Sequence, residues 1–481
     1  MSRFFGVCIF LCFISGARAQ YLFDRLERGY PPRLMKADID QLCNDLEKYH
    51  LNLYLYASRD RLDKAVDSLK ASLTGALTIR EFYYRLQQVL SLIGDGHLKT
   101  DYLEPQKITG ADWIKYGKKY RSPFEQFRLK FIDDKIYISS SSASCQKLVV
   151  GAEVIAINKI SAAAIIGRKM SSSFSDGYNT TFKYYFLNNG SLDDLWKRVF
   201  KTTDRLHVVL RNKGIVDTVL VVGAPFDVRQ ALERSKETVA NADPVDTVPG
   251  MIYKKIDAST GYLKISHFHP DQQGRSFFSA LLEKELPGCR YLVLDLRGNL
   301  GGEMFYMLEV LKALLVKPVH VLKFPGELLK GVSVFTRKNP VKSKRLRYVN
   351  QYLQLGVDLI SPADASYRNK LYVLINGGTF SAASVLAYAL GIDGRALLIG
   401  EETGGGRNTM NAGIHFENRL KNTGISYSFG LVPFNAFYPS REKGHGVRPD
   451  IAIHYTIDDY ISGRDLELEA AMEEIKKAPN E

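Results

Sequence analysis

Only two tryptophans and five cysteines occur in 481 residues. So few cysteines cannot build a disulfide scaffold. Cys8 and Cys12 fall in the N-terminal apolar run, and Cys43, Cys145 and Cys289 remain. Those three allow at most one disulfide and lack metal-ligand spacing, so they read as packing residues. Beyond the N-terminus no apolar stretch reaches the roughly 20 residues needed to span a bilayer. No long basic block accompanies the formal net charge of +13. The Lys and Arg residues are dispersed, as on a solvated basic surface, and nucleic acid is not the expected partner. Internal repeats and low-complexity tails are missing too.

What is present fits a folded, multi-domain chain. Hydrophobic residues make up 45% and charged residues 24%, which suffices for a core. The length suits two or three domains. Arg3 precedes the apolar run Phe4 to Ile14, and Ser15-Gly16-Ala17-Arg18-Ala19 follows with small residues. This is the pattern of a secretory signal peptide over 1–19, cleaved after Ala19. The expected mature protein is exported, periplasmic or extracellular, without stable membrane insertion. No Cys follows the cleavage site to carry a lipid.

Residues 20–103 read as a helical region. Leu62, Ala65, Val66, Leu69 and Leu73 recur at helical spacing. Thr78 with Glu81 forms a capping-box signature before Phe82, Leu86, Val89 and Leu92. That helix is expected to stop at Gly94, ahead of Asp95-Gly96-His97. Residues 104–225 read as a β-rich module. Asp133-Asp134 marks one turn, and Asn212-Lys213-Gly214 marks a hairpin between apolar strands. Residues 170–190 read as an inserted loop, with Tyr184-Tyr185-Phe186 either a contact patch or core. Residues 226–250 read as a linker. From 251 to 481 strands alternate with helices, which predicts an α/β layer architecture.

Three segments follow buried strands in that last region, where α/β sheets usually carry their sites. In Asp295-Leu296-Arg297-Gly298-Asn299-Leu300-Gly301-Gly302, glycines let backbone N–H groups approach a ligand. In Asn376-Gly377-Gly378-Thr379-Phe380-Ser381-Ala382-Ala383-Ser384, a helix starts at a serine. A nucleophile placed there gains from the helix N-terminus and from the N–H of Ala382. Ser is also a common helix cap, and Ser384 is a rival nucleophile. Gly400-Glu401-Glu402-Thr403-Gly404-Gly405-Gly406-Arg407 lacks the Lys-Ser/Thr of a phosphate loop. His267, His269 and Asp271 cluster in sequence, but packing is the plainer reading and no metal is expected.

Together these segments resemble the C-terminal-processing, tail-specific serine peptidases. DLRGNLGG, GTFSAAS, GEETGGG and Gly446-Val447-Arg448-Pro449-Asp450 occur in that family's order. Gly151 to Ile160 resembles the PDZ ligand-binding module. The resemblance implies a crotonase-like catalytic core behind a helical region and a PDZ-like module, cleaving polypeptides without cofactor or metal. One branch of the family uses a Ser/Lys dyad, but the position of that Lys falls at Gly406 beside Arg407. Arg cannot act as a base. The tricorn-like branch uses a His from the helical region, which corresponds to His97. The implied site is therefore Ser381 as nucleophile, His97 as base, and Ala382 with Gly301 or Gly302 as oxyanion donors. Glu442 is the implied orienting acid, with Asp95, Glu401 and Glu402 as alternatives, and His445 is a rival base. Where that branch has a Ser before its His, this chain has Gly96. A silent peptide-binding scaffold and an ester hydrolase are the competing readings.

Overall fold

The computed structural model describes residues 28–103, 122–142, 147–189, 196, 204–223, 246–324, 340–354 and 359–478. The expected signal peptide, Cys145 and most of the expected linker lie outside them. Among the described residues no helix is long and apolar enough to cross a membrane.

The N-terminal region contains α1 (Pro32–Tyr49), α2 (Arg59–Ser72) and α3 (Ile79–Leu90). The capping box forms as expected: Glu81 N–H donates to Thr78 Oγ1, and Thr78 N–H donates to Glu81 Oε2. One 3-10 turn extends the helix to Ile93, and Gly94 closes it at φ 71°. The strand β1 (Lys99–Asp101) follows.

Next come β2 (Phe127–Ile132), β3 (Lys135–Ser141), β4 (Glu153–Ile157) and β5 (Ile160–Ser161). The helices α4 (Ala162–Ser171) and α5 (Thr181–Asn189) precede the hairpin of β6 (Arg205–Asn212) and β7 (Ile215–Val222). These strands form one six-stranded sheet. Asp133 and Asp134, and Lys213 and Gly214, all take positive φ, as tight hairpin turns require. The expected loop at 170–190 needs correction, because its second half is α5. Phe182 and Leu187 of that helix are buried, and this burial outweighs the polar, Tyr-rich composition that reads as loop.

The α/β region opens with β8 (Asp246–Val248), β9 (Met251–Lys255), β10 (Thr260–Ile265) and α6 (Gln272–Ala280). It continues through β11 (Tyr291–Asp295), α7 (Met304–Leu314), β12 (Leu322–Lys323) and α8 (Pro340–Gln354). Next in the chain are β13 (Lys370–Ile375), α9 (Ala382–Ile392), β14 (Ala396–Gly400), β15 (Thr409–Arg419) and β16 (Ser426–Ala436). The chain then adds β17 (Ile451–Ala452) and α10 (Leu466–Lys477). A seven-stranded sheet runs β8-β9-β10-β11-β13-β14-β17 and is parallel from β10 onward.

The central strands β11 and β13 are buried on both faces, so they are almost wholly apolar. Leu292, Leu294, Leu371, Val373 and Leu398 face one core with α7 and α9. Val293, Tyr372, Leu374 and Ile399 face another with Ala471 and Ile475 of α10. Because β11, β13 and β14 are parallel, the loops at their C-terminal ends meet on one edge. The helical region reaches that edge through a second sheet. There β16 pairs with β1, β12 and β15. Tyr427, Phe429 and Leu431 of β16 share a core with α1 to α3.

Candidate active site

Two asparagines tie the loops after β11 and β13 together. Asn376 Oδ1 accepts the N–H groups of Gly298 at 3.0 Å and Gly378 at 2.9 Å. Asn299 donates its side-chain amide to Ile265 O at 2.9 Å, and its main-chain carbonyl accepts Phe380 N–H at 2.9 Å. These bonds fix the turn that delivers Ser381.

Ser381 stands at φ 53° and ψ −125°. Among the described residues the other non-glycine positions at positive φ occupy hairpin turns, whereas Ser381 joins a buried strand to a buried helix. That conformation costs on the order of 1–3 kcal/mol for a residue with a Cβ. Its side chain makes no capping bond to α9, so the helix-cap reading does not describe it. Ser384, the rival, is buried and donates its hydroxyl to Thr379 O at 2.9 Å.

His97 lies 284 residues away in sequence, yet its Nε2 is 3.0 Å from Ser381 Oγ. The imidazole leans on the Phe380 ring at 4.6 Å, and Phe380 stacks on Phe182 of α5 at 4.2 Å. Gly96 leaves room for this stack. A Cβ there would lie 2.9 Å from the Phe380 ring, so a serine at that position has no space. Burial holds the His97 pKa down to about 4, with Asp95 opposing and His415 and Lys99 reinforcing the shift. The imidazole is therefore neutral at neutral pH. Its Nδ1 is buried and has no hydrogen-bond partner among the described residues.

Glu442 is not the acid beside this histidine. Its carboxylate pairs with Arg448 at 2.6 Å, and both side chains are more than half exposed. The turn from Ser440 to Gly444 carries it out to solvent. Glu402 Oε1 accepts Gly446 N–H and Asn179 Nδ2, and His445, the rival base, lies beside it with Nδ1 at 3.4 Å. Glu401 is an exposed residue whose carboxyl pKa is raised by partial desolvation and by the charge of Glu467.

The carboxylates near His97 are Asp95 and Asp176. Each offers an oxygen within 4.8 Å of a His97 ring nitrogen and of the other carboxylate. Asp95 accepts His97 N–H on one oxygen and faces His50 Nε2 on the other, each at 2.8 Å. Burial pushes the Asp95 pKa up, but the hydrogen bond and charge of His50, with His97, prevail and hold it below the ordinary carboxylate value. Asp95 is one of the alternatives that the sequence offers. His50 and Asp176 carried no local signal, because their partners are remote in sequence.

The expected oxyanion donors divide. Gly301 N–H is already bonded to Asn299 Oδ1 at 2.8 Å, which corrects its role. Among the described residues the N–H groups of Gly302 and Ala382 carry no such bond. A cleft of about 1530 Å³ opens over Ser381 and His97. Phe186, Leu300, Phe305 and Tyr352 line it alongside Lys99 and Arg419.

Residues 259–453 match the family model described as Peptidase family S41. The carboxyl-terminal-processing protease of Picosynechococcus sp. (strain ATCC 27264 / PCC 7002 / PR-6) is 25% identical over 193 residues. That match covers 40% of this chain and 39% of the relative, well under half of its length. Mature CPAF is similar in structure with a TM-score of 0.61 at 15% identity, over 93% of this chain and 97% of that one. Mature CPAF complexed with lactacystin gives 0.58 at 16% identity, over the same shares. At these identities the structural likeness establishes a shared fold.

Proposed function

We propose that this chain, matched to peptidase family S41 over residues 259–453, is an exported serine endopeptidase acting near substrate C-termini. The observation that carries the reading is the 3.0 Å approach of His97 Nε2 to a strained, non-capping Ser381. A neutral His97 takes the Ser381 proton as Oγ attacks a peptide carbonyl. The N–H groups of Gly302 and Ala382 hold the oxyanion, each contributing about 3 kcal/mol. His97 then returns its proton to the leaving amine, and water hydrolyses the acyl-enzyme with His97 again as base. The ionised Asp95, bound to His50, stabilises the imidazolium through its charge.

Export follows from the N-terminal pattern of residues 1–19. In this reading residues 251–481 are a crotonase-like core, and the β-rich module at 104–225 presents peptides in the manner of a PDZ module. The large aromatic cleft supports an extended polypeptide with apolar side chains near the scissile bond.

A fluorophosphonate probe tests the chemistry. The mature chain is expected to become labelled, and Ser381→Ala to remain unlabelled. An unlabelled wild type refutes the peptidase and leaves a peptide-binding scaffold. Label that survives Ser381→Ala but not Ser384→Ala moves the nucleophile. Hydrolysis of a peptide library separates peptidase from esterase.

A further inference from the structure

Resting on that reading, we propose that Asp176 is a positioning residue for the Ser381–His97 pair. It fixes the loop that carries His97 against the loop that backs Ser381. Asp176 is buried in the segment between α4 and α5. Its Oδ1 accepts the N–H of Gly96, the residue before His97, at 2.8 Å. Its Oδ2 accepts the N–H of Gly406 at 2.8 Å. Gly405, next in line, presses on the nucleophile. A Cβ there would lie 3.0 Å from Ser381 N and 2.2 Å from Ser384 Oγ.

One carboxylate thus spans two backbones that are 310 positions apart in the chain. Neighbouring bonds reinforce the clamp. Gly177 N–H donates to Gly94 O at 2.9 Å, and Tyr178 N–H donates to Gly444 O at 2.8 Å. Asn179 Nδ2 donates to Thr403 O at 2.9 Å. Only glycine fits where these backbones meet, since a Cβ on Gly177 would lie 2.3 Å from Gly444 Cα.

A buried carboxylate without a counter-cation is costly to keep. Burial and the nearby Asp95 charge raise the Asp176 pKa to about 7, and the N–H bonds from Gly406 and Gly96 oppose that shift. For Nε2 to accept the Ser381 proton, the His97 ring must carry its hydrogen on Nδ1, which is buried. Asp176 acts through His97 and touches no substrate atom in this assignment.

The test compares second-order fluorophosphonate labelling and peptide hydrolysis for wild type, Asp176→Asn, His97→Ala and the double variant. Asn keeps one acceptor and loses the other. A shift of about 1 Å in the base loop costs roughly 100-fold in rate. Asp176→Asn is therefore expected to be labelled about 100-fold more slowly, with kcat reduced and KM unchanged. On the His97→Ala background it should cause no further loss, because its route is through His97. Wild-type labelling rates in Asp176→Asn overturn the proposal and leave the peptidase standing. An equal further loss on the His97→Ala background overturns it too, since that is general destabilisation. An unlabelled wild type overturns both readings. If Asp176→Asn does not fold by circular dichroism, Asp176→Glu replaces it, and an unchanged rate in that folded variant is the refuting result.

Discussion

Ser381 owes its backbone conformation to glycines around it. A Cβ at Gly301 would stand 2.7 Å from Ser381 Cβ, and Gly301 itself is at φ +95°. Gly301→Ala therefore meets both a steric clash and a backbone penalty. It should slow fluorophosphonate labelling by at least about 100-fold, since it displaces the nucleophile from the base. Labelling at the wild-type rate would show that the turn yields cheaply. A second residue-scale expectation concerns pH. Burial lowers the His97 pKa from 6.5 to about 4, while Asp95, Asp176, His415 and Lys99 face the ring. A base with a depressed pKa stays neutral until the pH falls through about 4. The acidic limb of the labelling profile should sit there and not near 6.5. Between those values the unfolded chain binds a proton that folded His97 refuses, so this residue alone lowers stability as pH falls through that window. A limb at pH 6.5 would mean that His97 is more solvated than its burial implies.

At the scale of elements, the strand-end loops work as a joined pair. Removing Asn376 leaves the N–H groups of Gly298 and Gly378 without their acceptor. Asn376→Ala should lower stability by about 1–3 kcal/mol in a urea titration. Labelling should slow as well, because the same loops set the Gly302 and Ala382 donors. The helix α5 joins this assembly from outside. Asn188 exchanges two bonds with the backbone of Phe131 in β2, at 2.8 and 3.0 Å, while Phe182 stacks on Phe380. The sequence made the strands legible, because β11, β13 and β14 are apolar runs broken by glycine. It left the acid unreadable. Among the described residues Asp176 binds only backbone groups, at Gly96 and Gly406, and a backbone donor leaves no mark in composition. Glu442 read as the acid because it is adjacent in sequence to the Gly-Val-Arg-Pro-Asp segment, but the turn that holds it points outward to Arg448.

For the whole molecule, one guanidinium ties the start of the C-terminal helix to the central sheet, beside the apolar contacts of Ala471 and Ile475. Arg297 donates to Asp295 at the end of β11, and to Asp465 and Glu467 at the start of α10, at 2.7 to 3.0 Å. Asp295 is fully buried, and Tyr262 and Lys264 also reach it. Burial pushes the Asp295 pKa up, but Arg297 and Lys264 more than offset this and hold the group low. Arg297→Met removes the main partner of a buried carboxylate and the polar tie between α10 and the sheet. A loss of about 3–5 kcal/mol is expected, as for other broken buried pairs. The pH dependence separates charge from packing. A depressed pKa contributes stability above the ordinary carboxylate value of 3.8, and that contribution fades as pH falls through the folded pKa. The gap between wild type and Arg297→Met should therefore be widest near neutrality and should narrow below about pH 4. A gap that stays constant with pH would mean that Arg297 acts through its aliphatic packing, and that α10 is docked by Ala471 and Ile475 instead.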